Sequence, residues 1–114
     1  MTGMTLEIRE REGGVVFEVG GRLMYESDSQ VFHAKLNEQI SLGKKWIVVD
    51  LSRVIGLSST GLGILIWAHR AAKDKGVPMK LAHLSDKVRS VLQITRLNSV
   101  FEIYENVEEA VKSV

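Results

Sequence analysis

Three consecutive hydroxyl side chains are the part of the chain best suited to chemistry. Ser58, Ser59 and Thr60 follow an apolar run and precede the segment Gly61-Leu62-Gly63. Serine and threonine are usual N-caps of helices, but three in a row exceed what capping needs. A hydroxyl at a helix start can also be phosphorylated, because the positive end of the helix dipole tolerates the added charge of about −1.5 to −2.

Other chemistries at this segment have weaker support. Gly61 and Gly63 are not followed by the lysine of a phosphate-binding loop, and the third glycine of a dinucleotide fingerprint is missing. Ser59 does not lie in a G-x-S-x-G turn. The three histidines fit no catalytic or metal-binding spacing: His33, His69 and His83. We read the first two as solvated helix residues and the third as a strand end. We therefore expect no enzyme, no catalytic residue, no metal and no cofactor.

Composition narrows the class of protein further. The chain has 114 residues, of which 45% are hydrophobic and 25% charged, as in a globular domain. A net charge of +1 gives no reason to expect nucleic acid as a partner, and the absence of cysteine excludes disulfides. The N-terminus lacks the apolar core of a signal peptide, and the longest apolar stretch, 62–68, is too short for membrane insertion. We expect one cytoplasmic domain over residues 1–114.

The first half of the chain predicts a hairpin and a helix. Leu6 and Ile8 alternate with charged residues, and after a turn at Gly13-Gly14 the alternation resumes. Gly20-Gly21 is expected to end the second strand. Ser27, followed three residues later by glutamine, resembles a capping box that opens a helix reaching about Ile40.

The second half alternates strands with helices. A buried strand begins at Trp46 and ends at Asp50, which we expect to cap the following short loop. The helix from Ser59 ends near Gly76. Further elements are predicted from these signals: a strand at Met79 and Leu81, a helix capped by Ser85, a strand at Ile103-Tyr104, and a helix capped by Asn106. The order ββαβαβαβα predicts a single α/β domain with a mixed, mostly parallel sheet of about five strands. The N-terminal hairpin forms one edge, and about four helices cover the sheet.

At 100° per residue, the residues of the helix that starts at Ser59 divide between two opposite arcs. The arc expected to face the sheet contains Ile64, Leu65, Ala68, Ala71 and Ala72. The opposite arc contains Ser59, Leu62, Gly63, Ile66, His69, Arg70 and Lys73. An apolar patch with a basic rim is typical of a docking surface. The alternative is that Leu62 and Ile66 are covered by a neighbouring segment.

Taken together, these motifs resemble the STAS-domain family, and within it the bacterial anti-sigma factor antagonists. The resemblance covers nearly the whole chain and consists of these segments: Gly21-Arg22-Leu23, residues 47–52, residues 58–63, Gly76, residues 88–92, Leu97 and residues 107–110. The resemblance implies the STAS fold and a binding module without catalysis of its own.

The resemblance also implies a partner-switching function. The unphosphorylated antagonist would bind an anti-sigma factor that is also a serine kinase, and thereby release a sigma factor. Phosphorylation would end that complex, and a PP2C-type phosphatase would restore it. Matched residue by residue, the phosphoacceptor is Ser59. The residues expected to bind the partner are Ser58, Thr60, Leu62, Gly63, Ile66 and Arg70.

Two departures from the family pattern remove negative charge near Ser59. Relatives carry aspartate at the position of Ser58, and often at the position of Met24. Tyr25, Glu26 or Asp28 could compensate by position.

The chain is expected to be a monomer or a weak homodimer.

Two other functions stay open. The domain could be a STAS subunit of a phospholipid-transport or sensory complex, using the same helix face without phosphorylation. It could also hold an anionic small molecule through Ser59, Thr60 and the helix N-terminus.

Overall fold

A five-stranded sheet with four helices makes up the computed structural model, which describes residues 3–114. The strands are β1 (Met4–Arg11), β2 (Gly14–Leu23), β3 (Ile47–Leu57), β4 (Met79–Ala82) and β5 (Ile103–Tyr104). The helices are α1 (Glu26–Ser41), α2 (Ser59–Asp74), α3 (Asp86–Ile94) and α4 (Val107–Lys112), with a short 3₁₀ turn at Leu97–Ser99. The predicted order of strands and helices is confirmed. None of the helices in the described residues is long and apolar enough to cross a membrane.

The sheet is mixed, as predicted. Its strands lie in the order β1-β2-β3-β4-β5. The hairpin β1–β2 is antiparallel, and every other neighbouring pair is parallel. The hairpin turns through Glu12 and Gly13, where Gly13 takes a φ of +77°, a value that glycine adopts without steric cost.

The two faces of the sheet bury cores of different size. On one face, alternate residues of β2 and β3 such as Phe17 and Val49 pack against apolar residues of α1, α2 and α3. On the other face, α4 covers a smaller cluster that contains Val16, Val48 and Ala110. The phosphoacceptor predicted at Ser59 therefore begins a helix that is attached to the larger core.

Two strands are longer than the sequence predicts. β3 does not end at Asp50 but continues to Leu57, and β2 continues through Gly20-Gly21 to Leu23. Beyond Asp50, β3 no longer pairs with β4 and pairs with β2 alone, across two register shifts. Asp50 lies within the strand, where its carboxylate accepts a hydrogen bond from the Ser52 amide at 2.9 Å. The extension carries the start of α2 beyond the main body of the sheet.

The first helix begins earlier than predicted, and at a different residue. Its N-cap is Tyr25 rather than Ser27. The buried Asp28 carboxylate accepts hydrogen bonds from the amides of Tyr25 at 3.3 Å and Met4 at 3.2 Å. One side chain thus holds the start of α1 against the start of β1. Asp28 was missed as a cap because one of its two donors is more than twenty residues away in sequence.

Candidate functional site

The start of α2 lies directly on the end of β2. Ser58 is the N-cap, and its hydroxyl accepts a hydrogen bond from the Gly61 amide at 3.3 Å. The same hydroxyl donates to the carbonyl of Met24 at 3.2 Å. The Ser58 amide donates to the carbonyl of Leu23 at 3.4 Å. The strand end and the helix start are therefore joined by both backbone and side-chain bonds.

The two glycines of α2 have different roles. A Cβ on Gly61 would overlap the carbonyl oxygen of Leu23, so the close approach of helix and strand requires glycine there. A Cβ on Gly63 would meet nothing within 4 Å, and this residue is exposed. Glycine inside a helix costs about 1 kcal/mol relative to alanine. The packing of the described residues explains Gly61 but not Gly63.

The three hydroxyls are placed in three different environments. Ser58 is engaged as donor and acceptor in the cap. Ser59, the first residue of α2, is exposed. Thr60 is half-buried and lines a hollow between α1 and α2. Only Ser59 therefore combines a position at the helix start with full access for a partner.

The core-facing arc of α2 matches the prediction, and its opposite arc does so only in part. Ile64, Leu65, Ala68 and Ala72 are buried, and Ala71 is half-buried. Leu62 and Ile66 are also half-buried and pack against the core, so the predicted exposed patch is smaller than expected. Exposed apolar surface beside the site comes instead from Trp67, Met24 and Tyr25, which are 36%, 36% and 42% exposed.

Trp67 is the functional candidate that the sequence reasoning missed. Its ring stacks on His33 of α1, with ring centroids 3.5 Å apart. His33 is therefore half-buried rather than solvated, contrary to the prediction. His33 in turn shares a hydrogen bond with the Ser29 hydroxyl at 3.3 Å. The spacing of Ser59, Gly63 and Trp67, four residues apart each time, is the signal that could have placed Trp67 on the exposed stripe.

The basic residues lie on the second half of α2. Arg70 and Lys73 are exposed, as predicted. His69 is half-buried rather than solvated, and its ring meets the edge of Phe101 with centroids 5.3 Å apart. Burial, and secondly the charge of Lys73, lower the pKa of His69 below its ordinary value. His83, which directly follows β4, is exposed, as a strand-end residue should be.

Two acids, Asp28 and Glu26, could compensate for the aspartates that relatives carry at positions 58 and 24, and they differ in accessibility. The Asp28 carboxylate is buried and engaged with two backbone amides. Glu26 is exposed and lines the same hollow as Thr60. Of these two acids, Glu26 is therefore the one that is accessible beside a hydroxyl of the run.

Ligand sites at the hydroxyls have little support in the geometry. The Gly61 amide already donates a hydrogen bond to the Ser58 hydroxyl, so it is not available to an anion bound at the helix start. Within residues 3–114, no three histidine, aspartate or glutamate side chains are grouped as metal ligands would be. The arrangement leaves one exposed hydroxyl, that of Ser59, at the start of a helix that also carries the partly exposed Trp67.

Comparison with known proteins gives the family. The STAS domain family model matches residues 5–110, and the chain belongs to that family. An anti-sigma-B factor antagonist from Listeria monocytogenes serovar 1/2a is 31% identical over 108 residues, which cover 92% of this chain and 91% of the relative.

Solved structures agree on the fold. An anti-sigma factor antagonist from Mycobacterium paratuberculosis superimposes with a TM-score of 0.79 at 22% identity, covering 98% of this chain and 94% of that one. The Bacillus cell fate determinant SpoIIAA in its phosphorylated form superimposes with a TM-score of 0.72 at 20% identity, covering 96% of this chain and 98% of that one.

The stacked histidine predicts a pH dependence of stability. Burial lowers the pKa of His33 below its ordinary value, an effect that Glu26 only partly opposes. The unfolded chain therefore binds a proton more readily, so the free energy of unfolding should fall as pH is lowered from about 7.5 to about 5.5. Urea unfolding of the His33→Gln variant across that range should show a shallower dependence. The matched control is His83→Asn at an exposed position; an equal flattening in both variants would contradict the prediction.

Proposed function

We propose that this chain is an anti-sigma factor antagonist controlled by phosphorylation of Ser59. In the unphosphorylated state it binds an anti-sigma factor with serine kinase activity, and a sigma factor is released. Phosphorylation of Ser59 ends the complex, and a PP2C-type phosphatase removes the phosphate. The chain acts in the cytoplasm as substrate and binding module, and the kinase supplies ATP.

The proposal rests on the different environments of the three hydroxyls at the start of α2. A kinase needs a hydroxyl that it can reach without opening the fold, and Ser59 is exposed while Ser58 is engaged in the cap. The name of the Listeria relative, anti-sigma-B factor antagonist, and the existence of a phosphorylated form of SpoIIAA support the same function.

The docking surface comprises the start and the outer face of α2. Its proposed members are Ser58, Thr60, Leu62, Gly63, Ile66 and Arg70, to which the exposed Trp67 is added. A phosphate on Ser59 would place a dianion at the edge of this surface. Because a buried charge without a partner is costly to desolvate, the phosphate would weaken binding while the fold stays intact.

The use of serine at position 58 has a structural rationale. A hydroxyl can donate to the Met24 carbonyl and accept from the Gly61 amide at the same time, whereas a carboxylate can only accept. Serine therefore adds a bond between the end of the strand and the helix, and it places no fixed negative charge at the position directly before Ser59.

Phosphate mapping tests the assignment of Ser59. The chain is incubated with the cognate anti-sigma factor and Mg-ATP, and the modified residue is located by mass spectrometry. We expect a single phosphate on Ser59 and none on the Ser59→Ala variant. Phosphate on Ser58 or Thr60 instead would contradict the assignment. No phosphate, together with capture of transporter or sensory subunits, would favour the alternative of a STAS subunit in another assembly.

Gly63 provides a second test, because the fold does not require it. Gly63→Ala should stabilise the helix by about 0.5–1 kcal/mol yet weaken binding to the anti-sigma factor, since a methyl group would stand between packed surfaces. Urea unfolding and calorimetric titration measure the two effects separately. Gly61→Ala is the matched control and should destabilise the fold. Unchanged affinity of Gly63→Ala would show that the partner does not pack on this face.

A further inference from the structure

The hollow between α1 and α2 lies beside the proposed phosphorylation site. Its lining comes from both helices: Glu26, Ser29 and His33 of α1, and Thr60, Gly63, Ile64 and Trp67 of α2. Thr60 and Gly63 belong both to the hollow and to the proposed docking surface, so the two are continuous. Gly63 leaves it open, because no side chain projects there.

The charge of the hollow is negative. Glu26 is exposed and carries the only formal charge among the lining residues that the structure describes. His33 adds none at neutral pH, because burial lowers its pKa. The ring of Trp67 stacks on His33, and its exposed part adds apolar surface on which the aliphatic stem of a cationic side chain can pack.

The other end of the surface has no such excess of negative charge. Beyond Trp67, the next hollow along α2 is lined by Arg70 and Asp74, whose formal charges offset each other. The exposed Lys73 lies on a neighbouring hollow. The negative charge along this surface is therefore concentrated on the α1 side, at Glu26. An uneven charge of this kind favours one orientation of a partner, because complementary potentials must face each other.

We propose that this hollow receives an arginine or lysine side chain of the anti-sigma factor, held between the Glu26 carboxylate and Trp67. The proposal rests on the proposed function and adds α1 to the docking surface. The hydroxyls of Ser29 and Thr60 line the hollow, and each oxygen can accept a hydrogen bond from a guanidinium or ammonium group; the Ser29 hydroxyl also shares one with His33.

Other occupants fit the hollow less well. An acidic side chain would be repelled by Glu26. An apolar side chain would cover the carboxylate and the two hydroxyls without offering them hydrogen bonds, which is costly. A cation with an aliphatic stem satisfies both the polar rim and the aromatic wall.

A small probe tests the hollow without the anti-sigma factor. Acetylated arginine methylamide is titrated into the whole chain while the indole N–H signal of Trp67 is followed by NMR. The citrulline derivative, which has the same shape but no charge, is the matched probe. Glu26→Gln is compared with Glu38→Gln, an exposed glutamate on the same helix.

We expect a saturable shift of the Trp67 signal with the arginine probe. Binding should be about two- to fivefold weaker for the citrulline probe and for Glu26→Gln, and unchanged for Glu38→Gln. The absence of a saturable shift, or equal binding of both probes, would overturn the proposal. The probe replaces the partner, so this experiment does not depend on phosphorylation of Ser59. A negative result here would therefore contradict binding of a cation in the hollow without contradicting the proposed function.

Discussion

The attachment of α2 to the end of β2 is the constraint on which the candidate site depends. The Ser58 hydroxyl joins the Met24 carbonyl to the first turn of the helix, and Gly61 allows that turn to lie against the carbonyl of Leu23. This attachment is possible only because β2 and β3 extend together beyond the point where β4 ends. It holds the first turn of α2 at the outer edge of the fold, where Ser59 is accessible while one face of the helix packs against the core.

The attachment also explains why modification need not disturb the fold. The hydrogen bonds of the cap use Ser58, and the close contact uses Gly61, so neither depends on the Ser59 side chain. A phosphate on Ser59 would add charge at the positive end of a helix, where the dipole favours it. The structural role and the proposed switching role are thus divided between adjacent residues, and a change in one need not alter the other.

The order of strands and helices could be predicted from the sequence, because periodicity and capping residues are local signals. Ser85 and Asn106 cap their helices as predicted. The extension of β3 was missed because it depends on pairing with β2 across two bulges, and Gly20 and Gly56 interrupt the alternation that marks a strand. The distinction between Ser58 and Ser59 needed the position of the Met24 carbonyl, more than thirty residues earlier in the chain. The Trp67–His33 stack is likewise a contact between helices that no local pattern contains.

We propose that one phosphate on Ser59 removes the docking surface along α2 and leaves the fold intact. It is tested by measuring affinity for the anti-sigma factor and the thermal unfolding midpoint on the same preparation, before and after phosphorylation, with Ser90→Asp as a control for added charge at a remote exposed position. We expect a loss of affinity of about tenfold or more, with an unfolding midpoint that shifts by less than about 4 °C. Affinity that survives phosphorylation, or a loss of affinity that accompanies unfolding, would contradict it.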